Sequence, residues 1–231
     1  MKKGENTGPS ALVRKLYENP LSGKEIEAKS FQAIDREADR HGFGKKEWQI
    51  VRRMIHTSAD FSITGDVCFL EGALEASAAA LSEGRPIYVD SNMMRAGISL
   101  ARLREVWDRY VAGHIICHVA DPDVATAANE AGLPRAIFAV RTAIPMINSG
   151  IVCFGNSPAG LLELNRLIIE DDIRPALVIA MPVGFVHVEE SKNELMGLRV
   201  PAIVLKGRRG GSALAVSVIH ALCSISKESV L

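Results

Sequence analysis

His56 is the residue of this chain whose setting best suits proton transfer near neutral pH. It lies near the predicted end of a helix, where the helix dipole favours the imidazolium form of the ring. Arg53 lies one turn earlier, and its positive charge disfavours the same form. Because these influences oppose each other, His56 is a candidate proton donor, and a helix-capping role is the alternative.

The other histidines carry weaker signals. His41 and His220 are expected at the surface or near helix ends. His114, His118 and His187 adjoin predicted strands, where a packed and hydrogen-bonded role is expected. None of them is spaced from another as metal ligands usually are, so the sequence predicts no metal site of the protein itself.

Three loops follow apolar segments and place glycine, serine or asparagine where a helix should begin. They occupy residues 155–161, 181–192 and 207–212. Ligands of open α/β sheets bind beyond the carboxyl ends of the strands, where such loops meet. The sequence therefore predicts one binding site to which all three loops contribute.

The loop that begins at Gly155 has two interpretations. Ser157 is a good N-cap and Pro158 a good first helical residue, so the loop could serve only to begin a helix. In the functional interpretation, free N–H groups at the helix start bind a substrate carboxylate together with Asn156. The spacing from Gly155 to Gly160 misses the nucleophile-elbow motif by one residue, which makes a serine hydrolase the weaker alternative function.

The third loop combines conformational freedom with positive charge. Gly210 and Gly211 allow a ligand to approach the backbone closely, and Ser212 follows them at the helix start. The basic residues of this segment are Lys206, Arg208 and Arg209. An anion-binding site is favoured over a simple helix start, but the phosphate-binding glycine motifs are absent from the sequence, so no nucleotide is expected.

The segments that position these loops alternate between strand and helix. Short, continuously apolar segments are typical of parallel strands covered on both faces, and they lie at residues 86–90, 114–119, 151–154, 176–181 and 202–205. Helical patterns lie at residues 24–40, 47–56, 73–81, 95–106, 122–131, 135–147, 158–169, 188–196 and 212–224. The sequence therefore predicts a three-layer α/β/α fold with a mostly parallel central sheet and N-terminal helices.

Length and composition limit the class of protein. The 231 residues suffice for one sizeable domain, which we expect at residues 24–231 after a polar leader at residues 1–23. Basic and acidic residues are equal at 27 each, so no net charge favours nucleic acid or a membrane surface. The cysteines lie singly in apolar segments, as buried thiols of a reducing compartment do. With no apolar run near the ~20 residues that span a bilayer, we expect a soluble cytoplasmic protein.

Several motifs, taken in order and spacing, resemble those of the precorrin-8X methylmutase family, including its cobalt-precorrin-8 methylmutase members. They begin near Lys24 and lie at residues 30–39, 53–56, 89–98, 155–161, 181–186, 190–192 and 207–212. The resemblance implies an isomerase of corrin biosynthesis that moves a methyl group from C-11 to C-12 of a tetrapyrrole. It implies a 1,5-sigmatropic shift that uses no redox or nucleotide cofactor.

The resemblance also implies roles for individual residues. His56 corresponds to the histidine that protonates the macrocycle, and Ser30, Arg53 and Arg135 correspond to substrate contacts. Further substrate contacts are expected in the matched loops, at Asn156, Ser157, Ser191, Lys192, Gly210, Gly211 and Ser212. Members of the family form homodimers with ligand sites at the subunit interface, so a homodimer is implied here.

The segment after His56, residues 57–61, looks more like the cobalt-pathway members than the aerobic ones. We therefore expect a substrate that already carries cobalt inside the macrocycle, so that the protein itself needs no metal. A non-catalytic tetrapyrrole carrier with the same fold is the alternative from another class of protein. The intact His56 argues against this carrier.

Overall fold

The computed structural model describes residues 11–38 and 40–228, except for the side chain of Glu228. The chain divides into two compact units, Met1–Asp39 and Arg40–Leu231. The first ten residues of the predicted leader lie outside the described residues. The division of the chain at residue 23 stays a prediction.

The first unit contains two helices, α1 (Val13–Glu18) and α2 (Gly23–Glu37). The helix α1 lies in the expected polar leader and was not predicted. The helix α2 was predicted, and it begins with a capping box in which the Ser22 hydroxyl accepts the N–H of Glu25. In return the Glu25 carboxylate accepts the N–H of Ser22 at 2.7 Å, so two N–H groups without helical partners are satisfied.

The second unit is built on a six-stranded sheet with the order β1-β6-β5-β4-β2-β3. Its strands are β1 (Val67–Leu70), β2 (Ile87–Val89), β3 (Ile115–Ile116), β4 (Ile151–Phe154), β5 (Leu177–Ala180) and β6 (Ala202–Leu205). All pairs of neighbouring strands are parallel except β1 with β6. The mostly parallel sheet is confirmed, whereas its antiparallel edge strand β1 was not predicted.

Helices cover both faces of this sheet. They are α3 (Lys45–Ser58), α4 (Ala73–Ser82), α5 (Asn92–Gly97), α6 (Leu100–Arg104), α7 (Pro122–Ala131), α8 (Arg135–Thr142), α9 (Ile144–Ile147), α10 (Pro158–Glu170), α11 (Val188–Met196) and α12 (Ser212–Glu228). One layer is formed by α12, which packs against α3, α4, α5 and α6. In the other layer α8 packs against α7, α9 and α10, and α10 against α11. The predicted three-layer architecture is therefore confirmed.

Two of the predicted helices are each divided in two. The segment 95–106 is interrupted at Ile98, whose backbone is extended, and Ser99 then caps α6 by accepting the N–H of Arg102. The segment 135–147 is interrupted at Ala143, where α8 ends. Pro145 follows within the first turn of α9 and has no N–H to continue the preceding helix.

The core fixes the edge of the sheet that carries the predicted loops. Every residue of β4, β5 and β6 is buried, as continuous apolar segments require. Val152 and Phe154 belong to one buried cluster with Leu161 and Leu164 of α10. Because β2 to β6 are parallel, their carboxyl ends lie at one edge of the sheet, and the loops leave from that edge.

Within the described ranges, no helix is both long and apolar enough to cross a membrane.

Candidate active site

The helix α3 carries Arg53 and His56. The Glu47 carboxylate accepts the N–H of Gly44 at 2.8 Å where α3 begins. A buried apolar stripe, formed by Ile50, Val51, Met54 and Ile55, anchors α3 against α12. The helix ends at Ala59, which has a φ of 53°. His56 therefore lies in the last turn, as predicted.

A cleft of about 340 Å³ lies between α3, α5 and α12. Its walls are formed by Arg53, Thr57, Met93, Gly97, Ser212, Ala213, Val216, Ser217 and His220. A mainly apolar wall with a few polar groups is typical of small-molecule sites. The structure thus brings two predicted site residues, Arg53 and Ser212, into one cleft.

Arg53 and His56 differ in exposure. Arg53 is 9% exposed and lines the cleft. His56 is exposed one turn later, beside Thr57 of the cleft wall. His56 is therefore next in the chain to a residue of the cleft wall, and its side chain is exposed.

His220 is a cleft residue that sequence reasoning missed. It was expected at the surface or a helix end, but it lies inside α12 and is half-buried. Its Nε2 accepts the N–H of Ser99 at 2.9 Å, so this bond requires the neutral ring with its proton on Nδ1. The available signal was its position four residues after Val216, on the same face of α12.

The N–H groups at the start of α10 are occupied by the chain itself. The buried Asp90 carboxylate accepts the N–H of Gly155 at 3.1 Å, of Asn156 at 2.8 Å and of Ser157 at 2.6 Å. Burial raises the pKa of Asp90, while these three bonds lower it. The prediction that these N–H groups are free for a substrate anion is therefore wrong. The side chain of Asn156 is exposed, and its contact with substrate stays a prediction.

Ser157 caps α10, which is the structural role that the sequence offered as the alternative to substrate binding. Its hydroxyl accepts the N–H of Gly160 at 3.3 Å, which makes it the N-cap of α10. Among the described residues, its hydrogen bonds involve no histidine that would activate a nucleophile. The structure does not support the serine hydrolase alternative.

Ser191 and Lys192 are fully buried in α11, which contradicts their prediction as direct substrate contacts. The Ser191 hydroxyl donates to the carbonyl oxygen of Val188 at 2.9 Å. The Lys192 ammonium donates to the carbonyl oxygens of Gly207 at 2.8 Å and Arg209 at 2.7 Å. Burial lowers the pKa of Lys192 to about 8, against the opposite effect of the Glu189 and Asp66 carboxylates. From the protein interior, Lys192 therefore fixes the loop at residues 207–212, which we call the glycine loop.

The two loop glycines have different reasons to be glycine. A β-carbon on Gly210 would lie 2.1 Å from the carbonyl oxygen of Met181 and 2.6 Å from that of Pro182. Gly210 is therefore required by the packing of the loop, whatever its contact with a ligand. Gly211 has a φ of 127°, and a β-carbon there would meet open space. Close approach of a ligand stays a prediction for both glycines.

The arginines of this loop are paired with acidic groups. Arg209 donates to Asp60 at 2.8 Å and also to Asp66. Arg208 donates to Glu189 at 3.0 Å. The positive charge expected of the loop is thus largely compensated within the chain.

The model of the precorrin-8X methylmutase family matches residues 25–225 of the chain. The chain belongs to this family. A cobalt-precorrin-8 methylmutase of Leptospira interrogans is 36% identical over 89% of this chain and 95% of its own length. One of Priestia megaterium is 38% identical over 90% of each chain. The solved structure of a precorrin-8X methylmutase from Thermus thermophilus is 41% identical, has a TM-score of 0.81 and is covered over 98% of its length.

As a methylmutase, the chain is an isomerase that moves a methyl group, and its family works in cobalamin biosynthesis. Two further predicted site residues of this methylmutase are Arg135 and Ser30. Arg135 is the exposed first residue of α8, in the helix layer opposite α3 and α12. Ser30 lies on α2 in the first unit and is partly exposed. Substrate contacts by Arg135 and Ser30 stay predictions.

Within residues 11–38 and 40–228, no group of three or more histidine, cysteine, aspartate and glutamate side chains is placed to hold a metal ion. In this part of the chain, His118 and Asp121 form a pair without a third ligand, and their Nδ1 and Oδ2 atoms lie 2.6 Å apart.

Proposed function

We propose that this methylmutase moves a methyl group from C-11 to C-12 of cobalt-precorrin-8 in a proton-assisted 1,5-sigmatropic shift, which yields cobyrinic acid. One observation carries the proposal. In a chain of this family, α3 places Arg53 in the wall of an apolar cleft and carries the exposed His56 one turn later, next to Thr57 of the same wall. A cation and a titratable ring are thus carried by one helix of the cleft wall.

The two residues have separate roles in the proposed reaction. Arg53 binds a carboxylate side chain of the tetrapyrrole, because a guanidinium matches carboxylate geometry and stays charged. His56 donates a proton to the macrocycle near the migrating centre, and the macrocycle releases one proton after the shift, so substrate and product are isomers. The added positive charge draws electron density away from that centre and so favours methyl migration. The exposure of His56 supports this role, because an exposed ring can exchange its proton with solvent between turnovers.

The size of the cleft supports a substrate site that two copies of the chain form together. Its volume of about 340 Å³ lies near the lower end of the ~300–1,000 Å³ range of small-molecule sites. The cleft therefore takes one edge of a tetrapyrrole, and the remaining macrocycle lies over the rim beside Met93, which is 72% exposed. A second copy of the chain would cover this part, and we propose a homodimer with its sites at the subunit interface.

The proposed reaction requires no redox or nucleotide cofactor. The substrate and the product are isomers, so the bond to C-11 breaks and the bond to C-12 forms with no external group or electron. Cobalt enters as part of the substrate. The two cobalt-precorrin-8 methylmutases at 36% and 38% identity support the cobalt form as the natural substrate.

The purified protein should be incubated with cobalt-precorrin-8 and with metal-free precorrin-8X while the visible spectrum is recorded. We expect conversion of both, with the higher kcat/KM for the cobalt form. Equal or reversed preference would overturn the cobalt assignment. Tight binding of both compounds without spectral conversion would instead support the tetrapyrrole carrier.

A further inference from the structure

We infer that Lys192 is a positioning residue of the methyl shift, which acts by fixing residues 207–211 between the end of α3 and the start of α12. This inference rests on the proposed function. Lys192 is fully buried and lies outside the cleft walls, so it acts through the loop and without touching the substrate.

The loop is held from within at consecutive carbonyl groups. The Lys192 ammonium donates to the carbonyl oxygens of Gly207 and Arg209 at 2.8 and 2.7 Å. The carbonyl oxygen between them, that of Arg208, accepts the N–H of Gly184 at 3.2 Å. Three successive peptide groups therefore have their orientation fixed by α11 and by the loop after β5.

On its outer side the loop is tied to the segment that follows α3. The Arg209 guanidinium donates to the Asp60 carboxylate at 2.8 Å and to the Ser62 hydroxyl at 2.5 Å, and it also pairs with Asp66. Asp60 lies four residues after His56 in the chain. The orientation of the Arg209 peptide thus bears on the end of the helix that carries the proposed proton donor.

The loop also sets the start of α12. The N–H of Gly211 donates to the carbonyl oxygen of Met181 at 2.8 Å. Ser212 follows in the cleft wall, with its hydroxyl 3.0 Å from that of Ser91. The same loop therefore joins two walls of the cleft, those formed by α3 and α12.

A lysine suits this position for chemical reasons. Its compact ammonium has three donors at the end of a flexible apolar stem, and carbonyl oxygens replace the water that burial removes. Methionine would fill a similar volume but would leave the carbonyl oxygens of Gly207 and Arg209 without their partner. A displacement of about 1 Å in a catalytic constellation can cost about 100-fold in rate.

Lys192→Met and Arg209→Gln, singly and combined, test the inference. We expect each single change to lower kcat at least about tenfold, while product affinity stays within about threefold because no cleft contact is removed. Since both changes release the same loop, the double variant should lose little more than the worse single variant. The matched control Arg208→Gln, on the same loop but paired with the exposed residues Glu189 and Phe185, should keep kcat within about threefold.

An unchanged kcat in Lys192→Met, or losses that multiply in the double variant, would overturn the inference. If Lys192→Met does not fold, Arg209→Gln tests the inference in its place. The Arg209 side chain is 40% exposed, so this variant should fold, and an unchanged kcat in it would also overturn the inference. Hydrogen exchange needs no turnover: Lys192→Met should exchange faster than wild type at residues 59–66 and 207–214, and equal rates contradict the inference. A wild-type protein that converts neither substrate overturns the proposed function, and the exchange result still decides whether Lys192 holds the loop.

Discussion

At the scale of residues, access to the cleft or to solvent separates the groups that can meet a substrate from those that hold other groups in place. His56 is exposed and Arg53 lines the cleft, so both are accessible to a ligand. Asp90 and Lys192 carry charges that are buried, and each is surrounded by backbone groups of the opposite polarity. Substitutions at His56 should therefore affect rate, and substitutions at the buried residues should affect stability as well.

His56→Ala should lower the rate of conversion by at least about 100-fold, the lower range for loss of a general acid. The exposed side chain leaves no cavity, so the melting temperature should stay close to that of wild type, and product affinity should change little. Spectral turnover, a melting curve and a product titration measure these three quantities. His56→Gln is the matched control for loss of proton donation without loss of size. Turnover of either variant within about tenfold of wild type would remove His56 as the proton donor.

The buried Lys192 predicts a pH dependence of stability. Its pKa is about 8 in the folded chain and about 10.4 when unfolded, so between these values the unfolded chain binds the additional proton. Stability contributed by this group therefore rises with pH, by up to about 1.4 kcal/mol per pH unit. The neutral amine keeps two N–H donors, so the bonds to the loop persist. Urea unfolding of wild type and Lys192→Met at pH 7 to 10 measures the difference in unfolding free energy, and a constant difference would contradict the prediction.

At the scale of elements, the start of α10 depends on a residue from another strand. Asp90 follows β2, which neighbours β4, so its carboxylate reaches the N–H groups of residues 155–157. An aspartate in this position does what a bound anion would do at a helix N-terminus. The site that sequence reasoning assigned to the substrate is thus filled by the fold.

Asp90→Asn should lower the free energy of unfolding by about 2–3 kcal/mol, because an amide offers one acceptor oxygen and points a donor at N–H groups. Chemical unfolding measures the change. The matched control is Asp108→Asn at an exposed position, which we expect to change stability by less than about 0.5 kcal/mol. Equal stability of the two variants would show that the buried carboxylate is not needed to hold the start of α10.

The glycine loop offers a paired test of packing against ligand approach. Gly210→Ala should lower the melting temperature strongly, because the new β-carbon collides with the backbone of Met181 and Pro182. Gly211→Ala adds a β-carbon in open space and costs about 1–3 kcal/mol of backbone strain at its φ of 127°. Gly211→Ala should also weaken product binding in the folded protein. If Gly211→Ala binds the product with wild-type affinity, the prediction that Gly211 contacts the ligand is wrong.

Much of the fold and part of the site could be predicted from the sequence. Continuous apolar segments identified β2 to β6, and the bounds of α7 and α11 agree with the pattern because Pro122 and Gly197 mark a start and an end. The edge strand β1 escaped notice because it is short and only one of its residues is buried. The filling of the α10 anion site by Asp90 and the burial of Lys192 depend on contacts distant in sequence, which local patterns do not contain.

At the scale of the whole molecule, the single chain leaves features that a second copy would complete. The cleft is small for a tetrapyrrole, and Met93 beside it is 72% exposed. On the loop after β5, Phe185 is 86% and Val186 71% exposed. Arg135 lies in the helix layer opposite the cleft. If Arg135 binds the same substrate as Arg53, a twofold arrangement in which one copy supplies each arginine satisfies both predictions.

This arrangement predicts that two inactive variants restore each other. His56→Ala and Arg135→Ala should each be nearly inactive at low substrate concentration. Random reassembly of equal amounts makes half of the dimers mixed, and each mixed dimer has one site with both residues intact, so about a quarter of the wild-type sites should return. Turnover after joint refolding, compared with each variant refolded alone, measures the recovery. If Arg135 serves the site of its own chain, every site in the mixture lacks one of the two residues, and the mixture stays as inactive as its components.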